Sequence, residues 1–252
     1  MTAASARWTA AARARESARS DRLFDDPWAA LLADGTEAGP ENPYLPVRTR
    51  YFDDAVIAAA AQHRQLVLLG AGLDTRAWRL PLPGDTTVFE VDRPGPGPAK
   101  RGRIPAPPVC TVRAVEADLA ADDWPARLLD AGLDPGAQTL WLAEGLLFHL
   151  PATAVGALLA GAAALTRAPA RFLADVFGTG LLRLESMQIP QYRQNPPFCT
   201  DDPAGLFARA GWTGCAWDLA GSPAANYGRL SGRAGTGGAD PGMRTYLVAA
   251  SR

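Results

Sequence analysis

The residues best suited to chemistry in this chain stand where short apolar runs stop. Leu66 to Leu80 reads LVLLGAGLDTRAWRL: an apolar run breaks at Gly70-Ala71-Gly72, with Asp74 two residues on. Glycines at that point let a strand turn sharply and bring a ligand against main-chain atoms, because neither has a Cβ to intrude. About twenty residues later Phe89-Glu90-Val91-Asp92 ends a second apolar run, the position at which nucleotide-binding α/β folds place an acid on a ribose diol. Asp92 is the candidate ribose ligand and Glu90 its neighbour. Further on, Glu116-Ala117-Asp118-Leu119 offers Asp118 to an adenine amino group with Leu119 beside the ring, and Trp141-Leu142-Ala143-Glu144-Gly145 ends a third apolar run in a carboxylate. Buried strand ends seldom keep a carboxylate without a partner. Asp118 reads equally well as a helix cap for the segment starting at Trp124.

The same residues argue about the ligand. The third glycine of the dinucleotide fingerprint is missing, and Asp74 would repel a pyrophosphate where a helix should receive one. A nucleoside carrying an amino acid cation is better tolerated, which puts a nicotinamide-dependent oxidoreductase second. The two histidines are His63, expected in a solvated stretch, and His149, which reads either as a general base or as a hydrogen-bonded packing residue. No metal-ligand cluster is expected from two histidines and three scattered cysteines, and no Gly-x-Ser-x-Gly elbow supports hydrolysis.

These residues need a scaffold of alternating strands and helices. Strands are predicted at 65–69, 87–91, 109–116, 139–143 and 171–176, with helices at 122–131 and 152–164 and a closing pair of strands at 215–219 and 245–250. That is an α/β fold, Rossmann-like, with a seven-stranded, mostly parallel sheet. Before it lie helices expected at about 3–20, 25–33 and 49–62, so residues 1–62 read as a helical extension or lid and 63–252 as the main domain. Pro94 to Pro108, rich in proline and glycine, is predicted to lack a regular helix. An insertion at about 177–203 mixes Leu181, Leu182, Met187, Ile189, Tyr192 and Phe198 with Arg183, Glu185, Arg193 and Gln194, as a small-molecule pocket requires.

Over 252 residues, apolar types make up 48 % and charged types 20 %, the balance of a globular chain. A net charge of −1 gives no field that would recruit nucleic acid or an anionic membrane. Neither a secretory leader nor a membrane span is evident, and the unpaired cysteine count suits a reducing cytoplasm.

Five blocks taken together resemble the leucine carboxyl methyltransferase-like family of S-adenosylmethionine-dependent methyltransferases, in its actinobacterial form. They are DRLFDDPWAALL (21–32), VRTRYFDDAV (47–56), VLLGAGLDTRAWRL (67–80), VFEVDRP (88–94) and WLAEGLLFHLP (141–151). The resemblance implies a class I methyltransferase fold and an S-adenosyl-L-methionine cofactor. It implies that Arg48 or Arg50 grips the cofactor carboxylate beside Gly70 and Gly72. It further implies Asp92 on the ribose, Asp118 and Leu119 at the adenine, and Glu144 near the methionine amino group. Arg50 is equally suited to pair with Asp53 or Asp54 on one helix face. Where the family carries a tyrosine two residues before Pro151, this chain has His149. The expected activity is O-methylation of a small natural-product-like acceptor, with a non-methylating cofactor-binding cyclase or auxiliary protein as the alternative.

Overall fold

The structure is a computed structural model that describes residues 3–121, 123–183, 196–219, 227–229 and 244–252. Most of the expected insertion, 184–195, lies outside the described residues. The chain opens with three helices, α1 (Ala3–Ser17), α2 (Ala29–Ala33) and α3 (Tyr44–Ala60). There follow β1 (Gln65–Leu69), α4 (Arg76–Arg79), β2 (Thr87–Asp92), α5 (Pro96–Arg103), β3 (Thr111–Glu116), α6 (Trp124–Asp130) and β4 (Thr139–Ala143). A short 3-10 turn (Leu147–His149) leads to α7 (Ala152–Ala164) and β5 (Ala170–Phe177). A second 3-10 turn (Thr179–Arg183), α8 (Pro203–Arg209), β6 (Thr213–Asp218) and β7 (Thr245–Ser251) complete the described elements.

The sheet has seven strands in the order β3-β2-β1-β4-β5-β7-β6, with β7 antiparallel to both neighbours and the rest parallel. This is the α/β, Rossmann-like arrangement of class I methyltransferases. β1 and β4 are buried along their whole length, because helices cover both faces, and their sequences QLVLL and TLWLA are accordingly apolar throughout rather than alternating. On one face Val67, Phe89, Trp141 and Phe172 pack with α6, α7 and α8. On the other, Leu66, Leu68, Val88, Leu142 and Leu173 pack against Ala10, Leu32, Val47 and Phe52 of the N-terminal helices. The N-terminal segment is therefore part of the core of the sheet.

Several elements depart from expectation. The proline-rich stretch does contain a helix, α5, since Pro96 and Pro98 fall in its first turn, where the missing N–H groups have no helical partner to lose. α3 begins at Tyr44, five residues early, for the same reason: Pro46 sits within its first turn. β3 starts at Thr111 rather than Val109. His63 is buried, its Nδ1 3.1 Å from the Ala59 carbonyl, not solvated. Among the described residues no helix is long and apolar enough to cross a membrane, and no group of three metal-binding side chains occurs.

Candidate active site

Parallel strands leave their carboxyl ends free, and here the chain turns away after β1, β4 and β5 around a cavity of about 480 Å³. Gly70 and Gly72 shape the first turn with φ of +68° and +47°. The Gly70 and Ala71 amides both donate to the Val91 carbonyl, at 2.8 and 3.1 Å. A Cβ on Gly70 would meet Leu146 Cδ1 at 2.9 Å. The Gly72 amide donates to Asp92 Oδ2 at 2.7 Å, and the Arg93 amide to Asp92 Oδ1 at 2.7 Å. A carboxylate accepts about four hydrogen bonds, so Asp92 keeps capacity for a diol.

The cavity floor is ionic. Arg48 donates from Nε to Glu144 Oε1 at 3.0 Å and from Nη1 to Asp175 Oδ2 at 3.2 Å. The same Asp175 oxygen takes the Tyr44 hydroxyl, and its other oxygen takes the Gly145 amide at 2.6 Å. Arg76 bridges Glu144 Oε2 at 2.7 Å, Asp53 Oδ1 at 2.8 Å and Asp74. Arg79 clamps Asp53 through two bonds of 2.6 and 2.7 Å. Asp26 accepts from Arg13 Nε at 2.8 Å and from Thr75 Oγ1 at 2.7 Å. Five carboxylates are thus joined to four guanidiniums around the cavity.

Burial by itself would push the Asp74 carboxyl up, but the charges of Arg76 and Lys100 outweigh it and hold the group down at about 2. Glu144 is likewise kept below the ordinary carboxyl range, against its burial, by Arg76 and Arg48. Burial and the neighbouring Asp175 push the Tyr44 hydroxyl well up, so it stays protonated as a donor. His149 is exposed, yet loss of solvent where it packs over Phe148 is the largest influence on its imidazole and, with Arg48 and Arg93 adding repulsion against the attraction of Asp175, brings it down to about 4.

Arg48, Gly70, Asp74, Glu144 and His149 all line the cavity, and Gly72 and Asp92 adjoin it through the glycine turn. Asp118 and Leu119 stand apart beyond β3, two strands from β1. Asp118 is half exposed, caps its own turn at the Ala120 amide rather than α6, and lies 3.8 Å from Arg93 Nε; Leu119 is buried in the core. Two candidates need correction. Arg50 turns away from the cavity and pairs with Asp54 one helical turn on, at 2.9 Å. Glu90 faces inward, 4 % exposed, and pairs with Lys100 at 2.6 Å and Arg101 at 3.3 Å, so no ribose can reach it. The objection raised against Asp74, that it repels an anion, also loses force because Arg76 neutralises it.

Sequence reasoning missed Asp175, Arg76, Asp53, Arg79 and Tyr44. For Asp175 the signal was there: it is an acid inside an apolar strand, RFLADVF, as Glu144 is one at the end of another. The arginines gave none, because a chain with this much surface arginine hides its buried ones.

Comparison with known proteins places the chain. Residues 6–163 match the model of the family described as Leucine carboxyl methyltransferase. The chain belongs to that family. A provisionally named S-adenosyl-L-methionine-dependent methyltransferase of Saccharopolyspora erythraea is 46 % identical over 170 residues, 60 % of this chain and 59 % of the relative. Another from a Parafrankia species is 44 % identical over 211 residues, 75 % of this chain and 66 % of the relative. The chain thus spans about three fifths to two thirds of the curated relatives it matches. Among solved structures, a DUF574 family protein of Streptomyces avermitilis superimposes with a TM-score of 0.60 at 19 % identity, covering 96 % of both chains. A methyltransferase, also provisionally named, of Thermobifida fusca gives 0.60 at 17 % identity, covering 97 % of this chain and 93 % of the other. At those identities the likeness is one of fold.

Proposed function

We propose that this member of the family is an S-adenosyl-L-methionine-dependent methyltransferase of the cytoplasm that methylates an oxygen of a small molecule. The observation that carries the donor is the pairing of Arg48 with Glu144 at one cavity wall, next to the glycine turn that Asp92 fastens. A zwitterionic amino acid fits that pair: its carboxylate takes the Arg48 fork and its ammonium takes Glu144. Asp92 receives the ribose hydroxyls, and Gly70 leaves room for the backbone approach. When bound, the cofactor supplies a methyl group already activated by a sulfonium, so the protein's task is to hold and align. Asp175 and Tyr44 keep Arg48 in place when an incoming carboxylate displaces Glu144 from it. His149, neutral at pH 7, is available to accept a hydrogen bond from an acceptor hydroxyl. The oxygen acceptor rests on the family's name, which specifies a carboxyl, and on His149 at the cavity.

A nicotinamide reading is less well supported, because α4 after the glycine turn has only four residues and offers little dipole to a pyrophosphate. The test is calorimetric titration with S-adenosylmethionine and S-adenosylhomocysteine on the wild type and on Asp92→Ala. Saturable binding lost in the variant supports the donor site, whereas a folded protein that binds neither ligand rules it out. Accumulation of S-adenosylhomocysteine with an acceptor separates an enzyme from a binding protein.

A further inference from the structure

Taking the donor reading above as given, we infer that Lys100 is a positioning residue for S-adenosyl-L-methionine: from behind the cavity, its one ammonium fixes the spacing between the loop that carries Asp74 and the strand that ends in Asp92. Lys100 is fully buried and belongs to α5, outside the residues that line the cavity. Its Nζ donates to the Asp74 carbonyl at 2.6 Å and to Glu90 Oε1 at 2.6 Å, and it lies 5.4 Å from the centre of the Trp78 ring of α4. Three partners match the three protons of an ammonium.

The bond to Asp74 is the one that a merely packed pair would not need. The salt bridge to Glu90 ties α5 to β2 and by itself pairs two buried charges. The carbonyl of Asp74 belongs to a different element, the loop between β1 and α4. A trans peptide sends its N–H opposite to its C=O, so a carbonyl held on Lys100 turns the Thr75 N–H the other way and keeps this peptide from flipping. Arg13 of α1 holds the preceding carbonyl, that of Leu73, at 2.7 Å. Two successive peptide units are thus fixed by cations from two other elements, at a stretch where Leu73, Asp74 and Thr75 all line the cavity. Against the burial that would raise it, Arg76 and then Lys100 hold the Asp74 carboxyl down at about 2, so the same ammonium helps to keep that wall charged. At its start the turn is fastened to β2 by the Gly70 and Ala71 amides on the Val91 carbonyl and by the Gly72 amide on Asp92. At its end, at Asp74, it is fastened to β2 through Lys100 and Glu90. A ligand held by both the turn and Asp92 depends on that second fastening, because a small misplacement of aligned groups costs binding steeply.

Affinity for S-adenosylhomocysteine is measured by calorimetry, and stability by urea unfolding, on the wild type, Lys100→Met, Glu90→Gln and the double variant Lys100→Met/Glu90→Gln. Lys100→Met should lose about tenfold in affinity, the scale of one hydrogen bond to a charged group. The double variant removes the unpaired buried carboxylate while the glutamine keeps an acceptor for Arg101. It should recover roughly half or more of the lost urea midpoint and none of the affinity. Glu90→Gln, which leaves Lys100 on the Asp74 carbonyl, should bind within about twofold of the wild type. Affinity that returns with stability in the double variant overturns the inference, because Lys100 then acts through the fold alone. A loss in Glu90→Gln as large as that in Lys100→Met overturns it too. Should Lys100→Met not fold, the other two variants decide. A wild type that binds no S-adenosylhomocysteine removes the donor reading and this inference with it, whereas a wild type and a double variant that bind equally well sink only the role of Lys100.

Discussion

Glu144 sits between two guanidiniums, with one oxygen on Arg48 and the other on Arg76. Replacing it with glutamine keeps the shape and removes the charge that would hold a ligand ammonium. A hydrogen bond to a charged group contributes about 1.5–3 kcal/mol, so Glu144→Gln should weaken S-adenosylmethionine binding roughly tenfold to a hundredfold, read by calorimetry. Binding within twofold of the wild type would remove Glu144 from the donor site. His149 makes a second prediction. Its imidazole, ordinarily near 6.5, is brought down to about 4 in the fold, so the unfolded chain binds the extra proton between those values. Its contribution to stability is therefore intact above pH 6.5 and is lost as pH falls toward 4. Histidine proton resonances assigned with His149→Gln should show a midpoint near 4. Activity should show no inflection from this residue between pH 6 and 8; a midpoint above 6 would restore it as an ordinary general base. At this scale the sequence disclosed acids better than bases. Glu144 stands out because an apolar strand rarely ends in a charge, and Asp175 carries the same signal. Arg48 and Arg50 differ by only two positions in one helix, and only the helical phase, 200° between them at 3.6 residues per turn, decides which faces the cavity.

Cations tie down both α5 and α1, through the buried Lys100 and the partly buried Arg13. In α5 the lysine Lys100 is fully buried, with Nζ donating to Glu90 at 2.6 Å and to the Asp74 carbonyl at 2.6 Å. It links the helix after β2 to the end of β2 itself and to the glycine turn. Lys100→Met keeps the stem and leaves Glu90 buried with only the partly exposed Arg101. Breaking a buried pair costs about 3–5 kcal/mol, and Arg101 offsets part of that, so urea unfolding should show a loss of about 3 kcal/mol; a change under 1 kcal/mol would mean that Glu90 protonates at little cost. α1 is held by Arg13, which spans Asp26 and the Leu73 carbonyl at 2.7 Å. Arg13→Ala should speed amide exchange in 3–17 relative to the sheet, because the helix loses its bond to the glycine turn while its apolar packing remains. β1, β4, β5 and α7 were legible because burial writes a nearly continuous apolar run. α5 was hidden because proline counts against a helix everywhere except its first turn, which is where Pro96 and Pro98 fall. The closing pair β6 and β7 could be read as strands, but their place in the sheet, with β7 between β5 and β6, depends on pairing across distant segments that no local pattern records.

Across the whole molecule the cavity lies at the junction of its two packed layers. α1 and α3 cover one face of the sheet, and the Phe148–His149 turn leads into α7 on the other. A ligand held by Arg48 of α3, Gly70 after β1, Asp92 after β2 and Glu144 after β4 would bridge elements spread over the first three fifths of the chain, and would stabilise all of them together. Ligand at a hundred times its Kd adds about 2.7 kcal/mol to the folded state. For a chain of this size each kcal/mol shifts Tm by about 2–4 °C, so S-adenosylmethionine should raise Tm by about 5–10 °C. NADH at the same concentration should leave Tm unchanged, since the single turn of α4 gives a pyrophosphate little to hold. Asp74 and Glu144 both line the cavity and are held in their charged form, which adds a sharper expectation. S-adenosylmethionine carries one more positive charge than S-adenosylhomocysteine, and beside partly buried carboxylates that charge is screened less than in open solvent. Adding S-adenosylmethionine should therefore shift Tm at least as far as adding S-adenosylhomocysteine. A larger shift with S-adenosylhomocysteine would mean that these carboxylates do not favour the sulfonium charge, and a shift with NADH alone would replace the methyl donor with a dinucleotide.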